Sequence, residues 1–416
     1  MNLLLKSAII VDPENKGLHL KKRDILIKNG IISKIASKID NTAKIKEISV
    51  KGLHVSKGWF DSSVSFGEPG YEERETLENG LYTAAKSGFT DIVLNTNTHP
   101  VPDTSGAIAF FKKTTHTVTN LHPLATLSVK GEGQALAELY DMKNAGAKGF
   151  YDYKKTVDNA NLLKIALQYT QSFDGLVYSF PLNSKIAGKG IVNEGAHATA
   201  LGLRGIPALA EELNIARDLF ILEYTGGKLH IPTISTAKAV QLIAEAKKKG
   251  LDVSCSVALH NLIFTDASLE SFDTNFKLMP PLRTSKDAKA LLKGLKTGII
   301  DFVTTDHTPI TIEEKHVEFD NACFGSLGLE SAFGILNQLL GLTQTIGLLT
   351  KGRERYDIEI PAIKEGAMAN LTLFDPETTA VLNKKQLHST SKNSMYLGKK
   401  LKGHVIGVIN NNRIIN

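Results

Sequence analysis

The stretch STAKAVQLIAEAKKKGLDVSCSVALH, residues 235–260, carries the pattern that decides the fold. Its first half spaces apolar residues three and four positions apart, as an amphipathic helix does, and ends in lysines and Gly250. Its second half is a short apolar run, which is typical of a buried strand. A helix followed at once by a buried strand is the unit from which parallel sheets with crossover helices are built.

The same unit recurs along the middle of the chain. Helical segments precede apolar strands at residues 77–97, 136–152, 159–180, 208–235 and 285–307. So many repeats favour a closed barrel over an open sheet. Both ends of the chain differ, because they contain short apolar runs punctuated by turns such as Asn29–Gly30. We therefore predict an α/β protein, with a (β/α)8 TIM barrel at 57–345 and a small β-sandwich domain built from 1–56 and 346–416.

The composition excludes several classes of protein. Of the 416 residues, 42% are hydrophobic and 22% charged, which are ordinary values for a globular chain. The net charge of +6 comes without a dense basic block or a nucleic-acid-binding motif, so we expect no nucleic-acid partner. Cys255 and Cys323 form no CxxC pair, which fits a reducing, cytoplasmic setting. No apolar run approaches a signal peptide or the roughly 18 residues of a membrane helix, so no membrane association is expected.

Candidate functional residues lie where the predicted barrel strands end, because barrel chemistry is placed at the carboxyl ends of the strands. These positions hold two carboxylates, one histidine and several neutral polar side chains: Ser63, Ser65, Asn97, Asp152, Ser179, Thr233, His260 and Asp306. None of the serines lies in the GxSxG motif of a serine hydrolase. We also expect the apolar stripe of one helix, Leu162, Leu163, Ile165, Ala166 and Tyr169, to pack against the barrel.

Five segments resemble type I dihydroorotases of the amidohydrolase superfamily, in order and in separation. They are GWFDSSVSFGEPGYEERET (58–76), NTNTHPVPD (95–103), DTNFKLMPPLR (273–283), DFVTTDHTPITIEEK (301–315) and NACFGSLGLESAF (321–333). The resemblance covers nearly the whole chain. It implies a barrel of amidohydrolase type and the zinc-dependent hydrolysis of a cyclic amide in de novo pyrimidine biosynthesis. It also implies that residues 311–325 correspond to the flexible loop that covers substrate.

The zinc site that the resemblance implies has four histidines and two aspartates. Residue by residue, the histidines fall on four hydroxyl side chains: Ser63, Ser65, Ser179 and Thr233. The aspartates fall on Asp152, in an altered context, and on Asp306. Neutral hydroxyls are poor zinc ligands, and two aspartates offer a weak site of oxygen donors alone. We therefore expect no metal cofactor, although the family uses zinc, and Asp306 would be a vestigial base facing an unactivated water.

The residues that would bind substrate are also replaced. The resemblance places the arginine that grips the substrate carboxylate on Gly67. A substrate asparagine falls on Met279 and a histidine on Ile310, so that Asn97 is the vestige of the substrate site. Replacements on both the metal side and the substrate side predict a pseudoenzyme.

The function that follows by resemblance is structural. Some relatives that lack the zinc histidines act as scaffolds for aspartate transcarbamoylase, so we expect its catalytic chain as a partner in a symmetric hetero-oligomer. The alternative is an active zinc-dependent dihydroorotase, or a related cyclic-amide hydrolase with a rearranged metal site. In that case His99 and His260 would join Asp152 and Asp306 as ligands, whereas we expect His307 to pack rather than to bind metal. A small-molecule sensor is a third class, without a positive feature in the sequence.

Overall fold

The protein is described by a computed structural model that covers residues 1–42, 44–113 and 117–416. Its strands are β1 Leu3–Ile10, β2 Lys21–Lys28, β3 Ile31–Ala36, β4 Lys46–Ile48, β5 His54–Lys57, β6 Trp59–Val64, β7 Phe89–Leu94, β8 Asn120–Pro123, β9 Leu176–Tyr178, β10 Val192–Asn193, β11 Gly205–Ile206, β12 Lys228–Ile231, β13 Val253–Ala258, β14 Phe302–Thr304, β15 Leu371–Val381, β16 Lys400–Asn410 and β17 Arg413–Ile415. Its helices are α1 Leu77–Lys86, α2 Ser105–Lys113, α3 Leu139–Asn144, α4 Ala160–Thr170, α5 Ser184–Ala187, α6 Ala196–Leu201, α7 Ala208–Thr225, α8 Ala237–Lys248, α9 Ser285–Lys296, α10 Ile312–Lys315, α11 Leu329–Leu340 and α12 Leu342–Thr350.

The middle of the chain forms a closed barrel of parallel strands. β6, β7 and β8 pair in one group, and β9, β12, β13 and β14 pair in a second group. Phe150 joins the groups through parallel bridges to Ala125 and Val177, and a bridge from Val64 to His307 closes the ring. With the short strand at Phe150 the barrel has eight positions, which confirms the predicted (β/α)8 architecture.

The two ends of the chain meet in one sheet. Its strand order is β17-β16-β15-β5-β1-β2-β3, with β4 beside β1, so the amino-terminal and carboxy-terminal strands pair directly where β5 meets β15. Trp59, which is fully buried, lies between this sheet and the barrel. Its ring is 4.8 Å from that of Phe333 on α11 and 5.5 Å from that of Phe374 on β15. The prediction that strands from both termini come together is confirmed by this one sheet.

The barrel interior is filled with aromatic side chains. Tyr178 stacks on Tyr151 at 5.1 Å, and its hydroxyl donates to Tyr356 at 2.6 Å. Beyond α12, Arg353 reaches back to Asp91 at 3.0 Å and buries its guanidinium against β7. These contacts fix the strands, so that the candidate residues at their carboxyl ends stand on a rigid base.

The prediction for the α4 stripe is only partly confirmed. Leu162, Leu163 and Ala166 are buried, but Ile165 and Tyr169 are 42% and 45% exposed. The apolar stripe of α4 is therefore wider than the face by which this helix packs on the barrel. In the described ranges no helix has both the length and the apolar composition needed to cross a membrane.

Candidate functional site at the barrel mouth

An ion pair occupies the centre of the barrel mouth. Lys154 Nζ lies 2.8 Å from Asp306 Oδ2, and the two side chains are 13% and 2% exposed. Lys154 follows the short strand at Phe150 and Asp306 follows β14, so the pair spans the mouth between residues 152 positions apart. The ammonium also lies 5.1 Å from the ring centre of Tyr153. Lys154 is not among the site residues predicted from the sequence, although a lysine directly after a barrel strand is a signal of a site at the barrel mouth.

Each member of this pair stabilises the charged form of the other. Burial would lower the pKa of Lys154, but the Asp306 charge raises it above its ordinary value. Burial raises the pKa of Asp306, and the Lys154 charge and the nearby Ser63 hydroxyl oppose that rise. We conclude that Lys154 is a protonated, buried cation and that the negative charge of Asp306 compensates its positive charge.

The hydroxyls of Ser63 and Ser65 accept hydrogen bonds from the same side chain. Asn95 Nδ2 donates to Ser63 Oγ and to Ser65 Oγ, both at 3.1 Å. The backbone of Ser63 is held by Asp61, whose Oδ1 accepts from Ser63 N at 3.0 Å. Burial raises the pKa of Asp61 to about 6, and its hydrogen bonds, the first of them from Thr304, oppose the rise. The end of β6 is therefore a hydrogen-bonded cluster.

Ser179 and Thr233 are likewise tied into the surrounding structure. Ser179 Oγ donates to Asp218 Oδ2 on α7 at 2.6 Å. Thr233 has a positive φ of 46°, which is rare for a β-branched residue, and its backbone N donates to Ser256 Oγ at 3.1 Å. Both residues lie at strand ends as predicted, and both carry neutral hydroxyls there.

Asp152 supports a neighbouring turn. Its Oδ1 accepts from Leu127 N at 2.9 Å and from Ser128 N at 3.1 Å, while Ser128 Oγ donates to Oδ2 at 2.5 Å. Burial raises the pKa of Asp152, and the Ser128 hydroxyl is the largest of the contacts that oppose the rise. Both carboxylate oxygens thus hold the 127–128 turn, and it is Lys154, two residues later, that contacts Asp306.

The position of the expected substrate arginine has no room for a side chain. A Cβ on Gly67 would lie 1.7 Å from the carbonyl oxygen of Tyr71 and 2.6 Å from its carbon. The turn is closed by hydrogen bonds of 2.9 Å from Gly67 N to Glu75 O and from Tyr71 N to Gly67 O. A side chain at residue 67 therefore requires the whole turn to move.

The other substrate positions hold apolar side chains or an unused amide. Met279 packs on the aromatic cluster of the barrel, and Ile310 is 4% exposed with its N bonded to Asn393 Oδ1 at 3.1 Å. Asn97 is half-buried, and its Oδ1 is buried without a hydrogen-bond partner. Of the predicted substrate residues, Asn97 alone leaves a polar atom free at this end of the barrel.

The histidines near the mouth occupy three separate environments. His307 Nδ1 accepts from Gly328 N at 3.2 Å at the start of α11, and burial lowers the pKa of His307 to about 3. Burial, helped by the Lys154 charge, also lowers the pKa of His260 to about 3, and its Nε2 is buried without a partner. His99 is exposed beside Tyr71. Across residues 1–42, 44–113 and 117–416 no three His, Cys, Asp or Glu side chains are arranged to hold a metal ion.

Residues 311–325, which we name the covering loop, are fastened to the barrel. Arg74 Nε donates to Glu314 Oε2 at 2.8 Å. Thr274 Oγ1 donates to Lys315 O at 2.6 Å, and Lys277 Nζ donates to Phe319 O at 2.8 Å. The buried Lys315 Nζ donates to Cys323 O at 2.8 Å, closing the loop on itself. The covering loop is therefore held by both ionic and backbone contacts.

The fold is shared with solved hydantoinase and dihydropyrimidinase structures. The L-hydantoinase (dihydropyrimidinase) of Arthrobacter aurescens superposes with a TM-score of 0.83 at 20% identity, over 100% of this chain and 96% of that chain. The dihydropyrimidinase of Brevibacillus agri gives a TM-score of 0.82 at 20% identity, over 100% and 95%. The barrel with its sheet from both termini is therefore the fold of these two structures.

Similarity in sequence identifies the family more narrowly. Residues 52–239 match the family described as Dihydro-orotase-like. The dihydroorotase of Carboxydothermus hydrogenoformans is 38% identical over 413 residues, covering 97% of this chain and 95% of that protein. The dihydroorotase of Pelotomaculum thermopropionicum is 36% identical over 423 residues, covering 100% and 98%. The chain belongs to the dihydroorotase family.

The zinc ion that the family resemblance implies does not fit the side chains at this mouth. Zinc in proteins is held by imidazole, thiolate or carboxylate groups. Here the expected ligand positions carry hydroxyls, Asp152 holds a turn, and Asp306 is paired with an ammonium. A cation entering beside Asp306 would have to displace the positive charge of Lys154 from a buried partner.

Proposed function

We propose that this chain is a non-catalytic member of the dihydroorotase family that serves de novo pyrimidine biosynthesis in the cytoplasm as a structural scaffold. The observation that carries the proposal is the Lys154–Asp306 ion pair, in which an ammonium of the protein compensates the one carboxylate left at the centre of the mouth. Without a metal, nothing lowers the pKa of an attacking water from 15.7 towards about 7. The closed turn at Gly67 adds a second obstacle, because it excludes the expected arginine.

The backbone of the mouth supports descent from a working site. Lys154, Thr233 and Asp306 have positive φ angles of 53°, 46° and 50°. Such angles are costly for residues other than glycine and are concentrated at functional sites. The strained backbone of a working site is thus present at these three positions. The side chains there are the Lys154 ammonium, the Thr233 hydroxyl and the Asp306 carboxylate, which is paired with Lys154.

Metal content and turnover test the loss of catalysis. The purified chain is incubated with zinc, desalted and analysed by mass spectrometry, and is then assayed for dihydroorotate hydrolysis and for ring closure of carbamoyl aspartate. We expect zinc near zero per chain and no turnover above that of an Asp306→Asn variant. One tightly held zinc per chain, with turnover that Asp306→Asn abolishes, would overturn the proposal.

The partner we propose is the catalytic chain of aspartate transcarbamoylase. The support is the family resemblance, since some relatives that lack the zinc histidines act as scaffolds. Sedimentation of the two chains from one genome, alone and mixed, tests the assignment. We expect a larger species of fixed stoichiometry in the mixture. Separate sedimentation, together with a transcarbamoylase that is assembled and fully active alone, would contradict it.

A second candidate function is hydrolysis by a rearranged site. It is favoured by two buried polar atoms without partners, Asn97 Oδ1 and His260 Nε2, which leave acceptor capacity near the mouth. The desalting experiment distinguishes the two candidates, because this alternative requires retained metal. An added His260→Ala variant would lose that metal only if the imidazole is a ligand.

A further inference from the structure

Two lysines hold the second half of the covering loop through its backbone carbonyls. Lys277, which precedes the loop in the chain, donates from Nζ to Phe319 O and to Asp320 O, both at 2.8 Å. Lys315, at the end of α10, donates from Nζ to Cys323 O at 2.8 Å and to Lys277 O at 3.4 Å. Lys315 therefore joins the two halves of the loop to each other and to the segment that carries Lys277.

The hydrogen bonds of Lys315 are those of an uncharged amine. An ammonium has three hydrogens to donate, whereas an uncharged amine has two. Lys315 Nζ donates two hydrogen bonds, both to neutral carbonyl oxygens, and the residue is 4% exposed. The ammonium of Lys154, by contrast, lies 2.8 Å from the compensating carboxylate of Asp306. A charge on Lys315 would be buried against neutral acceptors, which costs free energy.

The charged groups around Lys315 do not remove this cost. Titratable side chains face it from the loop and from the barrel, and they are Lys154, Asp273, Lys277 and Cys323, with the Arg74–Glu314 ion pair beside them. The two lysines disfavour an ammonium at residue 315, whereas Cys323 and Asp273 favour one. Burial is the largest influence, and it lowers the pKa of Lys315 to about 7. Lys315 therefore changes its charge close to neutral pH while the loop is closed.

We propose that the covering loop is a pH-sensitive lid, which Lys315 holds closed while its amine is uncharged and releases when the amine takes up a proton. In the open loop Lys315 is in water, where a lysine keeps its ordinary pKa of 10.5. Between these two pKa values the open form binds a proton that the closed form does not bind. Opening is therefore favoured as pH falls from 10.5 towards 7, and the effect levels off below 7.

The size of the effect follows from the two pKa values. Lowering the pH from 8 to 7 should increase the ratio of open to closed loop about fivefold, and lowering it from 9 to 7 about 50-fold. Since the Lys154 charge acts on Lys315, the loop adjoins the ion pair at the centre of the barrel mouth. Opening of the covering loop would thus expose the mouth, whether or not the mouth is catalytic.

Hydrogen exchange followed by mass spectrometry at pH 7, 8 and 9 tests the proposal. Protection factors, which divide out the intrinsic pH dependence of exchange, are measured for a peptide that covers residues 317–325. Two of its amides report on closure, since Cys323 N donates to Glu314 O at 3.0 Å and Gly325 N donates to Lys277 O at 3.1 Å. We expect their protection to rise about fivefold from pH 7 to 8 and about 50-fold from pH 7 to 9. Protection of a peptide from β13 should change less than about twofold.

Three variants separate the charge of Lys315 from its packing. Lys315→Met should make the protection of residues 317–325 independent of pH, because the group that takes up the proton is gone. Lys315→Arg keeps a positive charge at all three pH values, and it should give the low protection of the open loop throughout. Lys392→Met is the matched control, since the exposed Lys392 also donates to two backbone carbonyls, and it should keep the pH dependence of the wild type.

Protection of the wild-type loop that stays constant from pH 7 to 9 would overturn the proposal. So would protection that falls as pH rises, because the charged amine would then be the form that holds the loop. A pH dependence that persists unchanged in Lys315→Met, or that disappears in Lys392→Met, would place the responsible group elsewhere.

Discussion

Replacing Lys154 with methionine removes the ammonium of the central ion pair and keeps a side chain of similar length. Asp306 then remains 2% exposed with the compensating charge gone. Breaking a buried pair by deleting one partner costs about 3–5 kcal/mol. We expect the lower end, about 3 kcal/mol at pH 7.5, because Asp306 can partly take up a proton and Lys154 is slightly exposed.

The pH dependence of this loss follows from the direction of the pKa shifts. In the wild-type chain burial already raises the pKa of Asp306, and Lys154 opposes the rise. Without Lys154 the pKa of Asp306 rises further, so the variant binds a proton in the folded state that the wild type does not bind. The stability of Lys154→Met relative to wild type is therefore recovered as pH falls towards the ordinary aspartate pKa, and it is lost as pH rises through the raised Asp306 pKa of the variant.

Denaturation followed by the fluorescence of the single tryptophan measures this loss. Trp59 lies between the barrel and the terminal sheet, so its signal reports on both. Lys155→Met is the matched control, because Lys155 is exposed in the same turn and donates to the carbonyl of Gly131 rather than to a carboxylate. We expect that control to cost less than about 0.5 kcal/mol.

A double variant isolates the ion pair from the packing of the two side chains. Lys154→Met combined with Asp306→Asn removes both charges, and we expect it to recover most of the stability that the single variant loses. The reasoning is refuted if Lys154→Met costs less than 1 kcal/mol at pH 7.5. It is also refuted if the loss is the same at pH 5 and pH 8, or if the double variant is no more stable than the single one.

Three other predictions concern the surroundings of the mouth. Gly67→Ala should lower the free energy of unfolding by about 2 kcal/mol or more, since its Cβ would overlap Tyr71 O. Gly106→Ala, whose Cβ would come no closer than 4.0 Å to Thr104 Oγ1, should not lower it in the same denaturation assay. Asp152→Asn should cost about 1–3 kcal/mol at pH 7.5 through the three hydrogen bonds it accepts, and a loss below 0.5 kcal/mol would contradict its role in the 127–128 turn. Arg74→Met should speed limited proteolysis within 311–325 by releasing Glu314, and an unchanged cleavage rate would show that the backbone contacts alone hold the covering loop.

The sequence predicts the fold well because its signals are local and periodic. The helix–strand unit at 235–260 appears in the structure as α8 and β13, and the apolar runs at both termini appear as neighbouring strands of one sheet. A barrel domain at 57–345 and a β-sandwich domain built from 1–56 and 346–416 were predicted, and that division stays a prediction. The partial failure at Ile165 and Tyr169 arose because helical periodicity marks an apolar face without saying whether a neighbour covers it.

The site was harder to predict because its contacts are long-range. Strand-end reasoning located Ser63, Ser179 and Asp306, but it could not show where each side chain points. Asp152 turns to the backbone of residues 127–128, and the contact with Asp306 comes from Lys154, 152 positions away. The lack of space for a side chain at Gly67 could not be predicted from the sequence either, because it is the backbone carbonyl of Tyr71 that fills this space.

The hypothesis that Lys154 takes the place of a metal ion can be tested by introducing histidines at the four hydroxyl positions. A variant with histidine at 63, 65, 179 and 233 restores imidazole donors, yet it keeps an ammonium 2.8 Å from the last carboxylate. At 4 Å and an effective dielectric constant of 20, two unit charges repel by about 4 kcal/mol, and a divalent ion doubles that figure. Lys154→Gly removes this repulsion and also suits the positive φ of 53° at that position.

We therefore expect the four-histidine variant to bind zinc at least 100-fold more weakly than the same variant with Lys154→Gly, as measured by competition with a chromogenic chelator. The comparison uses two folded proteins with identical imidazole donors, so a difference in affinity reports on the ammonium. Lys155→Gly in the four-histidine background is the control, and it should leave the weak affinity unchanged. Equal zinc affinity with Lys154 and with glycine would mean that the ammonium moves aside freely. In that case the proposed lack of metal binding would rest on the hydroxyl side chains at residues 63, 65, 179 and 233 alone.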